Sequence, residues 1–147
     1  MAADQLSCRL TIPSDLRLLI VARGFVEAVC QAGGLDRSTN NAVVLAVDEA
    51  VNNIIRHAHQ NNPAAAIQIE CQLRPQEIEI HLLDEGEPFD LDAVPHLDPA
   101  ELRPGGRGVY LMRALMDELS CQPRTPRGNV LRMVKRFPRA PSAVGTA

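Results

Sequence analysis

The stretch Ala46-Val47-Asp48-Glu49-Ala50-Val51-Asn52-Asn53-Ile54-Ile55-Arg56-His57-Ala58-His59 carries two patterns at once. Val44, Val47, Val51, Ile54 and Ile55 recur at helical spacing and predict one buried stripe. The helix should begin near Asp36 or Ser38, run to about His59, and end at Asn61-Asn62-Pro63. On the same helix Glu49, Asn53 and His57 stand four apart and form a ridge along one face. A carboxylate and an amide one turn apart on an otherwise apolar helix are costly if buried and idle. A solvated helix face explains an isolated Glu-x-x-x-Asn equally well, and the spacing alone does not separate the two readings.

Working outward, residues 65–73 alternate Ile67, Ile69, Cys71 and Leu73 against Gln68, Glu70 and Gln72. After the turn Arg74-Pro75-Gln76, residues 77–83 alternate again, which predicts a hairpin with one face on the core and one in water. Upstream, residues 7–12 read as a short strand, Ser14 as a helix N-cap with Asp15 near the helix dipole, and Leu18 to Val29 as an amphipathic helix stopped by Gly33-Gly34. Residues 85–107 lose all periodicity and hold four prolines, the mark of a functional loop such as a lid. A helix over 109–119 and a strand over 128–137 follow, and residues 138–147 read as a frayed tail. This order predicts an α+β two-layer sandwich, helices on one face of a mixed or mostly antiparallel sheet, in a single domain over 1–147 with its core at about 7–137.

Two further segments are candidates for chemistry. Asp84-Glu85-Gly86 follows a predicted strand, so the carboxylate can point into a pocket while Gly86 admits close approach to the backbone. A plain turn has the same composition. Gly105-Gly106-Arg107-Gly108 leads into a helix, and free N–H groups there would make a phosphate cradle, with Arg107 an added cation. A flexible linker is the competing reading, and the segment is neither a Walker A loop nor a Gly-x-Gly-x-x-Gly turn.

Composition narrows the classes. The 147 residues are 46% hydrophobic but only 3% aromatic, so Leu, Ile, Val and Ala must build the core. A net charge of -3 makes the chain no electrostatic magnet for nucleic acid, despite basic residues after Glu118. No apolar run reaches the ~20 residues of a membrane span, and no signal peptide opens the chain. Cys8, Cys30, Cys71 and Cys121 are far apart, which favours buried free thiols and a cytoplasmic setting.

Taken in order, AVDEAVNNIIRHAH, DEGEPFD and GGRGVYLMRALMDEL resemble the N, G1 and G2 boxes of the GHKL ATPases, with the closest likeness to anti-sigma-factor serine kinases of the RsbW and SpoIIAB type. The opening IPSDLRLLIVARGFVEAV shares that likeness, which spans about residues 10–137. The resemblance implies ATP and Mg²⁺ as cofactors. It makes Glu49 the general base toward an attacking hydroxyl, Asn53 the Mg²⁺ ligand, and Asp84 the acceptor for the adenine amino group, with Gly86 in the same pocket. Gly105, Gly106, Arg107 and Gly108 would lie by the phosphates at the hinge of the lid. Many members carry Thr near the start of the last strand, where this chain has Asn129 after Gly128. The implied function is a serine/threonine-protein kinase and anti-sigma factor that phosphorylates a STAS-domain anti-anti-sigma protein and binds a sigma factor by turns. A homodimer joined through the first strand and helix is implied too. A nucleotide-binding regulatory module without kinase activity is the alternative, and the chain is short for a sensor kinase or a gyrase-like machine.

Overall fold

A computed structural model describes residues 5–96, 100 and 107–138. The two alternating stretches form β2 (Ala66–Arg74) and β3 (Glu77–Asp84). Ile67, Ile69, Cys71, Ile78, Ile80 and Leu82 are buried on one face, as period-two strands require. β1 (Leu6–Pro13) pairs with β2 at one edge. β3 pairs on its other side with β5 (Asn129–Arg136), which also pairs with β4 (Glu118–Pro123). The strand order is β1-β2-β3-β5-β4, and every pairing is antiparallel, so of the two sheet types open from sequence the antiparallel one is realised.

The buried face of the sheet is covered by α1 (Leu19–Ala32), α2 (Arg37–Asn53) and α3 (Arg107–Leu115). α2 touches both of the other helices. Its Val43, Val47, Val51 and the following Ile55 meet Val26 of α1, Met112 of α3 and the isoleucines of the sheet in one core. Each such side chain, fully buried, is worth roughly 1.5–3 kcal/mol relative to exposure. Asp36 caps α2 by accepting from the Thr39 N–H at 2.7 Å. A forked Arg23–Asp48 pair, 2.7 and 3.0 Å, ties α1 to α2.

Three local expectations are corrected. Ser14 is not a helix cap. Asp15 takes that place, accepting from the Arg17 N–H at 2.9 Å above a 3-10 turn (Leu16–Leu18), while Ser14 turns inward and its hydroxyl meets His59 Nδ1 at 2.8 Å. The second helix does not run regularly to His59: after Asn53 it widens into a π-helical turn (Ile54–Ala58). The helix expected over 109–119 stops at Leu115, because Lys135 Nζ takes the Leu115 carbonyl at 2.8 Å and Asp117 N–H joins Val134 of β5. Leu119 and Cys121 therefore belong to a strand, whose alternation Glu118-Leu119-Ser120-Cys121-Gln122 is visible in the sequence but short.

Candidate functional site

β3 delivers its last residue, Asp84, to the core face of the sheet, where it is only 2% exposed. The antiparallel register sets Asn129, first residue of β5, directly opposite. Asp84 Oδ1 accepts from Gly86 N–H at 2.8 Å and from Asn129 Nδ2 at 3.1 Å. The amide of Asn129 also donates to Glu87 O at 2.8 Å and accepts from Phe89 N–H at 2.9 Å. Both N–H donors and the carbonyl oxygen of the buried amide are thus engaged, and it locks both the carboxylate and the chain that follows it. Asp84 Oδ2 makes no hydrogen bond among the described residues, and Asp84 lines a cavity of about 120 Å³.

Ala50, Ile54, Val109, Met112 and Leu131 give that cavity apolar walls, and Phe89 and Val94 close it from the loop side. One buried carboxylate acceptor in an apolar slot suits a flat heterocycle bearing an amino group; a keto oxygen at the same point would meet it lone pair to lone pair. A larger polar groove of about 630 Å³ lies beyond the Asp84–Glu87 turn, but neither Glu49 nor Asn53 borders it. Asn53 and Asp84 meet instead at the smaller cavity.

Gly86 has a different reason for lacking a side chain than its sequence context suggests. A Cβ there would stand 2.3 Å from Ala58 O, and the adjacent Glu87 N–H donates to that same carbonyl at 2.9 Å. The turn after β3 is thus docked onto the end of the π-helical turn, and Gly86 does not border the 120 Å³ cavity.

The second half of the site lies where α2 meets the start of α3. A Cβ on Gly108 would fall 3.0 Å from Asn53 Nδ2, 3.3 Å from Asn53 Oδ1 and 3.1 Å from Glu49 Oε2. Glu49, Asn53 and Gly108 are therefore brought together, with the N-terminal turn of α3 above the ridge of α2. Glu49 is half-buried and makes no hydrogen bond or ion pair among the described residues, in contrast to its neighbour Asp48, which Arg23 engages. Arg107 is exposed at the first position of α3, while Gly105 and Gly106 lie outside the described residues. His57, on the widened turn, also borders the cavity.

Burial lowers the pKa of His59 below the usual imidazole value, against the pull of the Asp84 charge. Burial likewise pushes the Cys121 thiol, on the cavity wall, up to about 11, with Asp84, Asp90 and Asp92 adding to it. Cys30 and Cys71 rise to about 12 by burial, and all four cysteines are free thiols. Sequence reasoning missed Asn129, Phe89 and Val94 as parts of the site. For Asn129 the available signal was a buried-parity amide at the start of a strand, on a face otherwise held by Leu131 and Met133.

Comparison with known proteins gives a consistent picture. The profile of the family described as "Histidine kinase-like ATPase domain" matches residues 12–135. Serine-protein kinase RsbW of Oceanobacillus iheyensis is 31% identical over 74% of this chain and 73% of its own length. The RsbW of Staphylococcus epidermidis is 28% identical over 92% and 89%, and the serine/threonine-protein kinase BtrW of Bordetella bronchiseptica is 35% identical over 56% and 61%. Among solved structures, the RsbU and RsbW domains of a Mycobacterium tuberculosis protein superpose with a TM-score of 0.64 at 15% identity, covering 91% of this chain and 33% of that one. The histidine kinase domain from the Erythrobacter litoralis blue-light activated enzyme gives 0.54 at 17%, with 86% and 62% covered. Those two likenesses concern the fold alone.

Proposed function

Because this chain belongs to the histidine kinase-like ATPase family, and within it to the RsbW-type serine-protein kinases, we propose that it transfers phosphate from ATP to a serine or threonine of a STAS-domain anti-anti-sigma protein and, by turns, sequesters a sigma factor. The observation that carries this reading is the meeting of Glu49, Asn53 and Gly108 beside a cavity whose free acceptor is Asp84. The elements that make the site belong to one domain in this proposal.

Bound Mg-ATP would supply the transferable phosphoryl group together with the charge neutralisation that such transfer needs. The residues present fit it: a hard amide oxygen on Asn53, an acceptor aimed into an apolar slot at Asp84, and a glycine whose missing Cβ leaves space over Glu49 and Asn53. Asn53 would hold the Mg²⁺ ion. Asp84, oriented by Asn129 and Gly86 N–H, would accept from the base and reject a keto group in its place. Glu49, unpaired with any cation among the described residues, would take the proton of the attacking hydroxyl, a role worth roughly 10²–10⁴-fold. Arg107, with Gly105, Gly106 and Gly108, would border the phosphates.

Nucleotide state then biases which protein partner binds better, by linkage. A homodimer through β1 and α1, and a cytoplasmic setting, complete the proposal; among the described residues no helix is long and apolar enough to cross a membrane. Sigma-factor pull-downs in Mg-ADP and Mg-ATP, with and without the unmodified STAS protein, test it. Capture that depends on nucleotide and is lost on adding the STAS protein is the expected result. Capture indifferent to both would refute partner switching.

A further inference from the structure

Arg113 follows Met112 on α3 and sits one turn beyond Val109, both of which wall the base cavity. Its guanidinium forms no ion pair among the described residues. Instead Nη1 donates to Val94 O at 2.9 Å and to Pro95 O at 3.3 Å, and Nη2 donates to Leu91 O at 2.9 Å. One planar fork thus gathers three carbonyls from five consecutive residues. Leu91 opens the 3-10 turn Leu91–Ala93 and Val94 caps it, so the fork spans the whole turn.

These bonds matter because of what the segment carries. Phe89 and Val94 supply the loop wall of the base cavity. Leu91 is buried in the core and Val94 packs against it; in addition Asn129 holds Glu87 and Phe89 to β5, and Arg113 holds Leu91, Val94 and Pro95 to α3. Asn129 fixes the near end, where the segment leaves β3. Among the described residues Arg113 is the side chain that hydrogen-bonds Val94, and it comes from the helix whose first turn lies over Glu49 and Asn53.

We propose that Arg113 is a positioning residue for the nucleotide: by clamping the 91–95 segment to α3 it fixes the Val94 wall and sets how long the nucleotide stays, without touching it. The inference rests on the nucleotide-binding reading above. A lysine cannot reproduce it fully, because a point charge on a flexible stem lacks the fork that spans three separated carbonyls.

The test is stopped-flow release of a fluorescent ADP analogue from wild type, Arg113→Met and Arg113→Lys, alongside ATP affinity, the turnover rate at saturating ATP, and melting without nucleotide. Arg113→Met should release nucleotide about 10-fold faster and bind ATP about 10-fold more weakly, the loss expected for one charge-assisted contact. Saturated turnover should change by less than about 2-fold, since Glu49 and Asn53 are untouched. Arg113→Lys should fall between. Wild-type release from Arg113→Met, or equal losses of turnover, affinity and melting temperature with no rescue by lysine, would overturn the proposal. If Arg113→Met does not fold, a wild-type release rate for Arg113→Lys overturns it. Absence of ATP binding by the wild type would instead remove the nucleotide reading itself.

Discussion

Gly108 shows most directly how single atoms decide this site. An added methyl would stand 3.0–3.3 Å from the amide of Asn53 and 3.1 Å from Glu49 Oε2, tighter than ordinary contact, so those side chains must yield by a few tenths of an ångström. The same change improves intrinsic helix propensity by about 1 kcal/mol. Gly108→Ala should therefore leave the melting temperature within about 3 °C of wild type while lowering phosphoryl transfer at least about 10-fold, since small misplacements at a reacting centre are costly. Melting and single-turnover assays on the one variant check both halves; a large fall in melting temperature with transfer intact would contradict the reading. At this scale the sequence was partly legible. Glu49 and Asn53 share a ridge that spacing alone predicts, and Asp84 ends a strand of visible alternation. Asn129 was seen only as a missing threonine, because its partner Asp84 is 45 residues away and the β3–β5 register that joins them is a product of tertiary pairing.

Among the elements, the end of α2 is the least regular and the most connected. The π-helical turn presents Ala58 O to Glu87 N–H, and His59 beyond it is buried on Ser14, where β1 ends. Neither feature has a sequence signature: the widened turn lies inside an unbroken helical pattern, and Ser14 looks like any N-cap until burial claims it. The burial of His59 has a pH consequence. The folded His59 pKa lies below its unfolded value of about 6.5, so the unfolded chain binds more protons as pH falls through that value. The contribution of neutral His59 is complete above about pH 6.5 and is lost progressively below it. Melting temperatures measured from pH 7.5 to 5 should fall for wild type and fall less for His59→Gln. Parallel curves would show that His59 carries no such linkage. The overlong helix expected over 109–119 has a similar lesson: Lys135, twenty residues downstream, ends α3 by taking the Leu115 carbonyl.

For the molecule as a whole, the α+β sandwich was legible because alternation over 65–83 and the 3.6-residue period over 36–59 are both strong. The outer face of the sheet was legible only as polar. It is in fact an ionic grid centred on Glu79, which His81 Nε2 meets at 2.6 Å and Arg132 and Arg74 at 3.2 Å. Burial opposes its ionisation, but those three partners together outweigh burial and hold the carboxyl at about 2. A depressed acid stabilises the fold fully above its ordinary pKa of 4.5 and loses that contribution as pH falls toward 2. Glu79→Gln should lower the melting temperature at pH 7 by about 3–10 °C, equivalent to roughly 1–3 kcal/mol, and flatten the acid limb below pH 4.5. An unchanged acid limb would remove Glu79 from the account.

The proposed kinase reading rests on Glu49, which meets Asn53 and Gly108 beside the cavity that Asp84 lines, as the base for phosphoryl transfer. The most direct measurement is single-turnover transfer from γ-labelled ATP to a STAS partner, comparing wild type with Glu49→Gln at saturating Mg-ATP. Transfer reduced roughly 10²–10⁴-fold, with ATP affinity unchanged, is the expected result. Transfer by Glu49→Gln at the wild-type rate would contradict it.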